Sequence, residues 1–189
     1  NIKIMLNQVV ARGKMTVDER NKLLRKLENN VSVRVLDDNI EQNMILSCIT
    51  HDPGLHTSEG IKYYIRFIEH YRKSGELDVD LWKIPSPGII KKRLEQGMSL
   101  SRPELAILLS VCKNIVSRKI LKSSAVSEKV SNKYLFSYFP KDLHNFAEDI
   151  SSHSLAKEIA ASVICNRLIA DMGIIFVLKM RDRFMVSAE

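Results

Sequence analysis

The sequence has few of the residues that reactive and ligand-binding motifs require. Its 189 residues include seven glycines, which form no Gly-x-Gly pair and no Gly-Lys-[Ser/Thr] run. Nucleotide-binding loops need glycine where the backbone approaches a phosphate, so the Rossmann and P-loop signatures are missing. The Gly-x-Ser-x-Gly elbow of hydrolases and the His-Glu-x-x-His motif of zinc peptidases are missing too.

Cysteine is scarce and its spacing excludes a disulfide framework. The three cysteines, Cys48, Cys112 and Cys165, are odd in number and far apart. Each has apolar neighbours, which is typical of reduced thiols that pack as small hydrophobic residues. We therefore expect three buried, unpaired cysteines in a cytoplasmic protein.

The histidines and acids form no recognisable metal or catalytic set. The nearest grouping consists of Cys48, His51, Asp52 and His56. It lacks a second ligand pair and spans a Pro-Gly break, so we interpret it as a helix end that runs into a polar turn, with metal binding as the less favoured alternative. His153 precedes a predicted helix, where a backbone hydrogen bond could orient the turn; a catalytic role is the less favoured alternative.

Long apolar runs and single-sign charge blocks are also missing. The longest apolar run, Met172 to Leu178, reaches only about a third of a membrane-spanning length, so no membrane partner is expected. The formal net charge is +7, but its sign alternates along the chain and the densest basic clusters are short. This pattern favours solvated helix faces over nucleic-acid binding. A basic helical adaptor that binds nucleic acid or an anionic surface remains the alternative.

The sequence does contain many signals of α-helices, namely capping boxes and apolar residues at helical spacing. Two capping boxes, Thr16 with Glu19 and Ser101 with Glu104, mark helix starts. Apolar residues recur at helical spacing behind them and in several further segments, including Ile61 to Tyr71 and the tail from Ile174 to Phe184. The sequence predicts an all-α fold, an irregular multi-helical array of about nine or ten helices without a substantial sheet.

Several local features carry separate predictions. The helix that Thr16 begins should end near Asn29-Asn30, and a second helix should run from about Val31 to Cys48. Trp82, the single tryptophan, is expected to fill a crevice between helices. Ser154 is expected to cap a later helix, on whose apolar stripe Asn166 should be buried and hydrogen-bonded.

Short segments spread over nearly the whole chain carry a family resemblance. They include the opening decapeptide Asn1 to Val10, the run Leu100 to Ala106, the triplet Tyr138-Phe139-Pro140, and His153 with Glu158-Ile159. In order and spacing, these segments resemble the region that follows the nucleotide-binding part of the large bacterial NAD-specific glutamate dehydrogenases.

The resemblance implies a parent enzyme that converts L-glutamate, NAD and water to 2-oxoglutarate, ammonium and NADH. It also implies that the glutamate and NAD sites precede Asn1, so we expect this chain to be a piece of a longer polypeptide. Residues 1–50 would close the upstream catalytic domain, and residues 51–189 would form a C-terminal helical domain.

The same resemblance assigns no catalytic, cofactor-binding or metal-binding residue to this chain. NAD is expected as the cofactor of the intact parent, with none in the fragment, which alone should be inactive. The expected partners are the upstream catalytic domain of the same polypeptide and further copies of the intact enzyme in a homo-oligomer. The helices would brace the catalytic domain, contact other domains or subunits, or take part in regulation.

Overall fold

The structure, a computed structural model, describes residues 1–124 and 126–184. Those residues form nine α-helices and two short 3₁₀-helices without any strand, which confirms the predicted all-α array. The α-helices are α1 Ile2–Ala11, α2 Val17–Thr50, α3 Ser58–Lys73, α4 Pro87–Glu95, α5 Arg102–Lys122, α6 Glu128–Tyr138, α7 Ala147–Ser151, α8 Ala156–Met172 and α9 Phe176–Phe184, and the 3₁₀-helices are Pro53–His56 and Lys141–Phe146.

The chain forms two compact units, each assembled from segments that are distant in sequence. Unit 1 consists of residues 1–40 and 117–166, and unit 2 consists of residues 41–116 and those from 167 onward. Within unit 1, α7 contacts both α1 and α6. Within unit 2, α3 contacts α4, α9 and the first 3₁₀-helix.

Both predicted capping boxes are present. In the first, the backbone N–H of Glu19 donates to Thr16 Oγ1 at 3.2 Å, and the Thr16 N–H donates to Glu19 Oε2 at 2.8 Å. Hydrogen bonds to Thr16 hold the pKa of the Glu19 carboxyl below its ordinary value. In the second, the Ser101 N–H donates to Glu104 Oε2 at 2.7 Å. Satisfying these N–H groups fixes where α2 and α5 begin.

The apolar stripe of α3 forms much of the core of unit 2. The residues predicted from helical spacing are buried: Ile61, Tyr64, Ile65, Ile68 and Tyr71. The Tyr64 hydroxyl donates to Asp52 Oδ2 at 3.3 Å, while Asp52 Oδ1 accepts from the Gly54 N–H at 2.9 Å. Burial, followed by the charge and hydrogen bond of Asp52, raises the pKa of Tyr64.

An ion pair joins α3 to α9 within unit 2. The two terminal nitrogens of Arg66 donate to the two carboxylate oxygens of Asp182 at 2.6 and 3.0 Å. This forked geometry suits guanidinium and carboxylate groups, and the hydrogen bond to Arg66 lowers the pKa of Asp182. The predicted terminal helix is therefore tied to the rest of its unit.

The predicted break at Asn29-Asn30 was wrong. α2 is continuous over 34 residues, from Val17 to Thr50, and includes the Val-Ser-Val-Arg-Val stretch. Asparagine lowers helix propensity by only a few tenths of a kcal/mol, and α2 contains neither Gly nor Pro to stop it. The two predicted helices are accordingly one.

Three side-chain predictions also need correction. Trp82 is 51% exposed, because it lies in a surface turn that Asp78 organises by accepting the backbone N–H of Leu81 at 2.8 Å. Cys48 is exposed, whereas Cys112 and Cys165 are buried as predicted. Asn166 is partly exposed rather than buried.

By length and hydropathy, no single helix of the described residues is long and apolar enough to cross a membrane. Only α8 and α9 taken together, as a bent pair, reach that threshold.

The backbone of Gly54 lies very close to Gly60, so we expect a side chain at Gly60 to reduce the stability of the protein. A Cβ at Gly60, in the first turn of α3, would overlap the carbonyl oxygen of Gly54. Because backbone cannot move aside as a side chain does, Gly60→Ala should destabilise the protein by about 1–3 kcal/mol or more. Urea unfolding measures this change.

Gly88→Ala is the matched control, since a Cβ at Gly88 meets only the Ser86 hydroxyl at 4.0 Å. It should be neutral, or stabilising by up to about 1 kcal/mol, because alanine favours a helix over glycine. Equal effects of the two substitutions would show that the close approach of Gly54 to Gly60 is not a constraint.

Candidate functional site

Unit 1 has a buried acid at its centre. Asp149, in α7, is 2% exposed, and its Oδ1 accepts from Arg12 Nη1 at 2.6 Å. Lys14 Nζ lies 3.9 Å from Asp149 Oδ2 and donates to Glu148 Oε2 at 3.1 Å. A buried carboxylate needs a counter-charge, and the segment directly after α1 supplies two. The ion pairs therefore hold the end of α1 against α7.

A continuous hydrophobic core lies in the same unit. It combines side chains from the first thirty residues of the chain with side chains from the segment that runs from α6 into α8. Its buried members are Met5, Leu6, Leu27, Leu135, Phe139, Leu143, Ile150, Ile159 and Ala160. Burying a large aliphatic side chain contributes roughly 1.5–3 kcal/mol, so neither segment can leave without exposing much of the core.

His153 is buried, and both of its ring nitrogens face backbone groups. Its Nδ1 accepts from the Leu155 N–H at 3.0 Å, and its Nε2 lies 3.2 Å from the carbonyl oxygen of Asn1. Accepting at Nδ1 leaves the ring proton on Nε2, which can donate to Asn1. The predicted orienting role of His153 is confirmed. His153 rather than Ser154 supplies the side-chain acceptor just before α8, because its Nδ1 faces the Leu155 N–H.

A pocket of about 670 Å³ opens in unit 1 between α5, α6 and α8. Aliphatic side chains, several serine hydroxyls and charges of both signs line it, among them Leu135, Ser131, Lys157 and Glu158. A lining of mixed charge can take a small polar molecule, but it selects no particular ionic ligand.

A further feature of unit 1 is an apolar face of α2 that the unit leaves exposed. Val33, Leu36 and Ile40 recur at helical spacing and are 58%, 59% and 49% exposed. We call these three residues the outer face of α2. Leu27, which is buried, lies nine residues before Leu36, which is about two and a half helical turns and therefore the opposite side of the helix.

Two residues of the possible metal cluster, His51 and Asp52, have other partners. His51 Nδ1 lies 2.7 Å from the carbonyl oxygen of Ser47, and Asp52 caps the following 3₁₀-helix. Among residues 1–124 and 126–184, no group of three or more His, Cys, Asp or Glu side chains is placed to hold a metal ion.

Two family models match the chain. Residues 1–49 match the catalytic domain of bacterial NAD-glutamate dehydrogenase, and residues 97–189 match the C-terminal region of glutamate dehydrogenase. The NAD-specific glutamate dehydrogenase of Pseudomonas aeruginosa is 33% identical over the whole chain, and that of Halomonas elongata is 31% identical over 96% of it. The Mycobacterium tuberculosis enzyme is 28% identical over 96%.

This chain belongs to the bacterial NAD-specific glutamate dehydrogenase family. It spans about 11% of the length of the relatives that it matches. No solved structure matches it.

The core of unit 1 contains residues from both of the segments that match glutamate dehydrogenase. Met5, Leu6 and Leu27 lie in the segment that matches the catalytic domain, and Leu135 and Ile150 lie in the segment that matches the C-terminal region. The Arg12–Asp149 ion pair joins the same two segments. Unit 1 is thus a single folded body that draws on both family regions.

Sequence reasoning missed Asp149 and its partners. Arg12 and Asp149 are 137 residues apart, so no local spacing links them. The only available signal was the apolar context of Asp149, which lies between Phe146 and Ile150 on a helix too short to show a clear period. Long-range ion pairs of this kind become visible only when the fold is known.

Removing the buried carboxylate should destabilise unit 1. Asp149→Ala would leave the Arg12 guanidinium without its partner and open a small cavity in α7. Hydrogen bonds to charged groups contribute about 1.5–3 kcal/mol, and we expect a loss in that range because Arg12 keeps partial access to water.

Asp142→Ala is the control. Asp142 accepts from Lys26 at 3.2 Å in the same unit, but both side chains are exposed to solvent. An exposed pair contributes at most about 1 kcal/mol, so urea unfolding should place this variant close to the parent. If Asp149→Ala were as stable as Asp142→Ala, the buried pair would not be holding α1 to α7.

Proposed function

We propose that this chain is a non-catalytic helical portion of an NAD-dependent glutamate dehydrogenase, and that it braces the catalytic domain. The observation that carries this proposal is the composition of unit 1. A segment that matches the catalytic domain and a segment that matches the C-terminal region share one core and one buried ion pair. Helices arranged in this way would fix the end of the catalytic domain to the C-terminal region.

The reaction itself belongs to the rest of the enzyme in this proposal. The intact protein would oxidatively deaminate L-glutamate to 2-oxoglutarate and ammonium and reduce NAD. In this proposal, the glutamate and NAD sites both lie upstream of Asn1. The enzyme would act in the cytoplasm as a homo-oligomer, and the present chain would contribute contacts between domains or subunits.

Regulation is a second candidate role, and the pocket in unit 1 is the observation that favours it. The pocket is lined by residues of α6 and α8, including Leu135, a member of the shared core. A molecule bound there would contact the body that also contains the catalytic-domain segment. The comparisons give no support to the other alternative, a basic adaptor for nucleic acid or anionic surfaces.

The bracing proposal predicts that the 189-residue chain alone neither reduces NAD with glutamate nor gains stability from NAD. A ligand present at about a hundred times its dissociation constant adds roughly 2.7 kcal/mol, which a thermal melt detects readily. The measurements are absorbance at 340 nm with both substrates and melting temperature with and without millimolar NAD. We expect no change in either.

The longer polypeptide, assayed in parallel, is the positive control and should reduce NAD. An upward shift in the melting temperature of the short chain with NAD would overturn the assignment of the cofactor site to the upstream part. A shift with glutamate alone, without NADH formation, would favour the regulatory role.

A further inference from the structure

We infer that the outer face of α2 is an interface, and that it packs against the remainder of the catalytic domain that residues 1–49 belong to by family match. This inference rests on the proposed function, since it needs a catalytic domain in the same polypeptide. It goes further by naming the residues that make the contact and the kind of surface that they meet.

The exposed segment of α2 has the apolar pattern of a packing surface. All ten residues from Val31 to Ile40 are exposed, although five of them are aliphatic. Exposed helical segments are normally polar, because helices in proteins are stabilised mainly by packing an apolar face. Three of the five aliphatic side chains form a single stripe, the outer face, which gives the exposed segment the pattern of a packing surface.

The outer face points away from the core of unit 1. The inner side of α2 is marked by Leu27 in that core and by Arg34, whose Nη2 donates to the carbonyl oxygen of Ser137 at 2.9 Å. The outer face lies on the other side of the helix, so unit 1 leaves it exposed. A surface from outside the unit would bury it.

The family match and the length of the relatives identify the occupant. The outer face lies wholly within residues 1–49, which match the catalytic domain, and the relatives carry about nine-tenths of their length outside the region that this chain covers. The occupant is therefore the remainder of that catalytic domain, since α2 directs this apolar face away from its own unit.

The residues that border the outer face indicate what kind of surface it contacts. Asp37 borders the outer face one turn after Val33 and is exposed, and Asn39 lies on the other border. The partner surface should therefore be an apolar groove with a basic residue on the Asp37 side. Burial of Leu36 at the centre of the stripe would anchor the contact.

The chain offers a matched pair of variants to test this. Val33 and Val35 are the same residue type, are 58% and 55% exposed, and lie two positions apart on α2. Two positions correspond to a rotation of about 200°, so only Val33 belongs to the outer face. Val33→Asp and Val35→Asp make the same chemical change on opposite sides of one helix.

The measurement is amide hydrogen exchange of residues 33–40 in the longer polypeptide and in the 189-residue chain. We expect exchange to be at least tenfold slower in the longer polypeptide, because docking suppresses local opening of the helix. Val33→Asp should return the rate to that of the short chain, whereas Val35→Asp should keep the protection.

Two outcomes would overturn the inference. One is equal exchange of these amides in both proteins, or equal loss of protection in both variants. The other is protection in the short chain that rises with its concentration, which would make a second copy of this chain the occupant. Neither outcome touches the proposed function, which fails separately if the short chain reduces NAD or if the longer polypeptide does not.

Discussion

The burial of Asp149 against Arg12 is the interaction on which the organisation of unit 1 depends. A carboxylate that is almost fully removed from water is tolerable only beside a positive charge, and the structure provides that charge from the segment directly after α1. The pair therefore sets where the first helix of the chain must lie. The hydrophobic core, with Met5 and Leu6 from α1 packed among residues from Leu135 to Ala160, enforces the same position. The ion pair and the hydrophobic core thus fix α1 in the same position, and together they make unit 1 one body.

This arrangement gives the proposed bracing role a physical basis. The two regions that the family models separate are adjacent in unit 1, and both contribute side chains to one buried core. Motion or unfolding of the C-terminal segment would expose residues of the segment that matches the catalytic domain, and the reverse also holds. This coupling follows from contiguous packing, so the proposed bracing would require no bound ligand.

Much of the fold could be predicted because its signals are local. The Thr16–Glu19 and Ser101–Glu104 boxes, and the stripe from Ile61 to Tyr71, each operate within a few turns of helix, where spacing determines contact. The orienting role of His153 is local too, since the backbone N–H that donates to its Nδ1 is two residues away. Apart from the helix break at Asn29-Asn30 and the cap at Ser154, the predictions that failed concerned exposure. Trp82 and Cys48 have the composition of core residues, but whether they are covered depends on other segments that sequence spacing does not place. Asp149 was missed for the same reason, because its partner is 137 residues away.

The central claim is that the first forty residues and the segment from α6 into α8 fold as one body. The most direct test is to produce residues 41–189 alone and to measure amide exchange protection at Leu135, Leu143 and Ile150. The account predicts that these amides lose their protection, and that adding a separate peptide of residues 1–40 restores it. Full protection in residues 41–189 without the peptide would contradict the account, because the C-terminal segment would then form its core without the catalytic-domain residues.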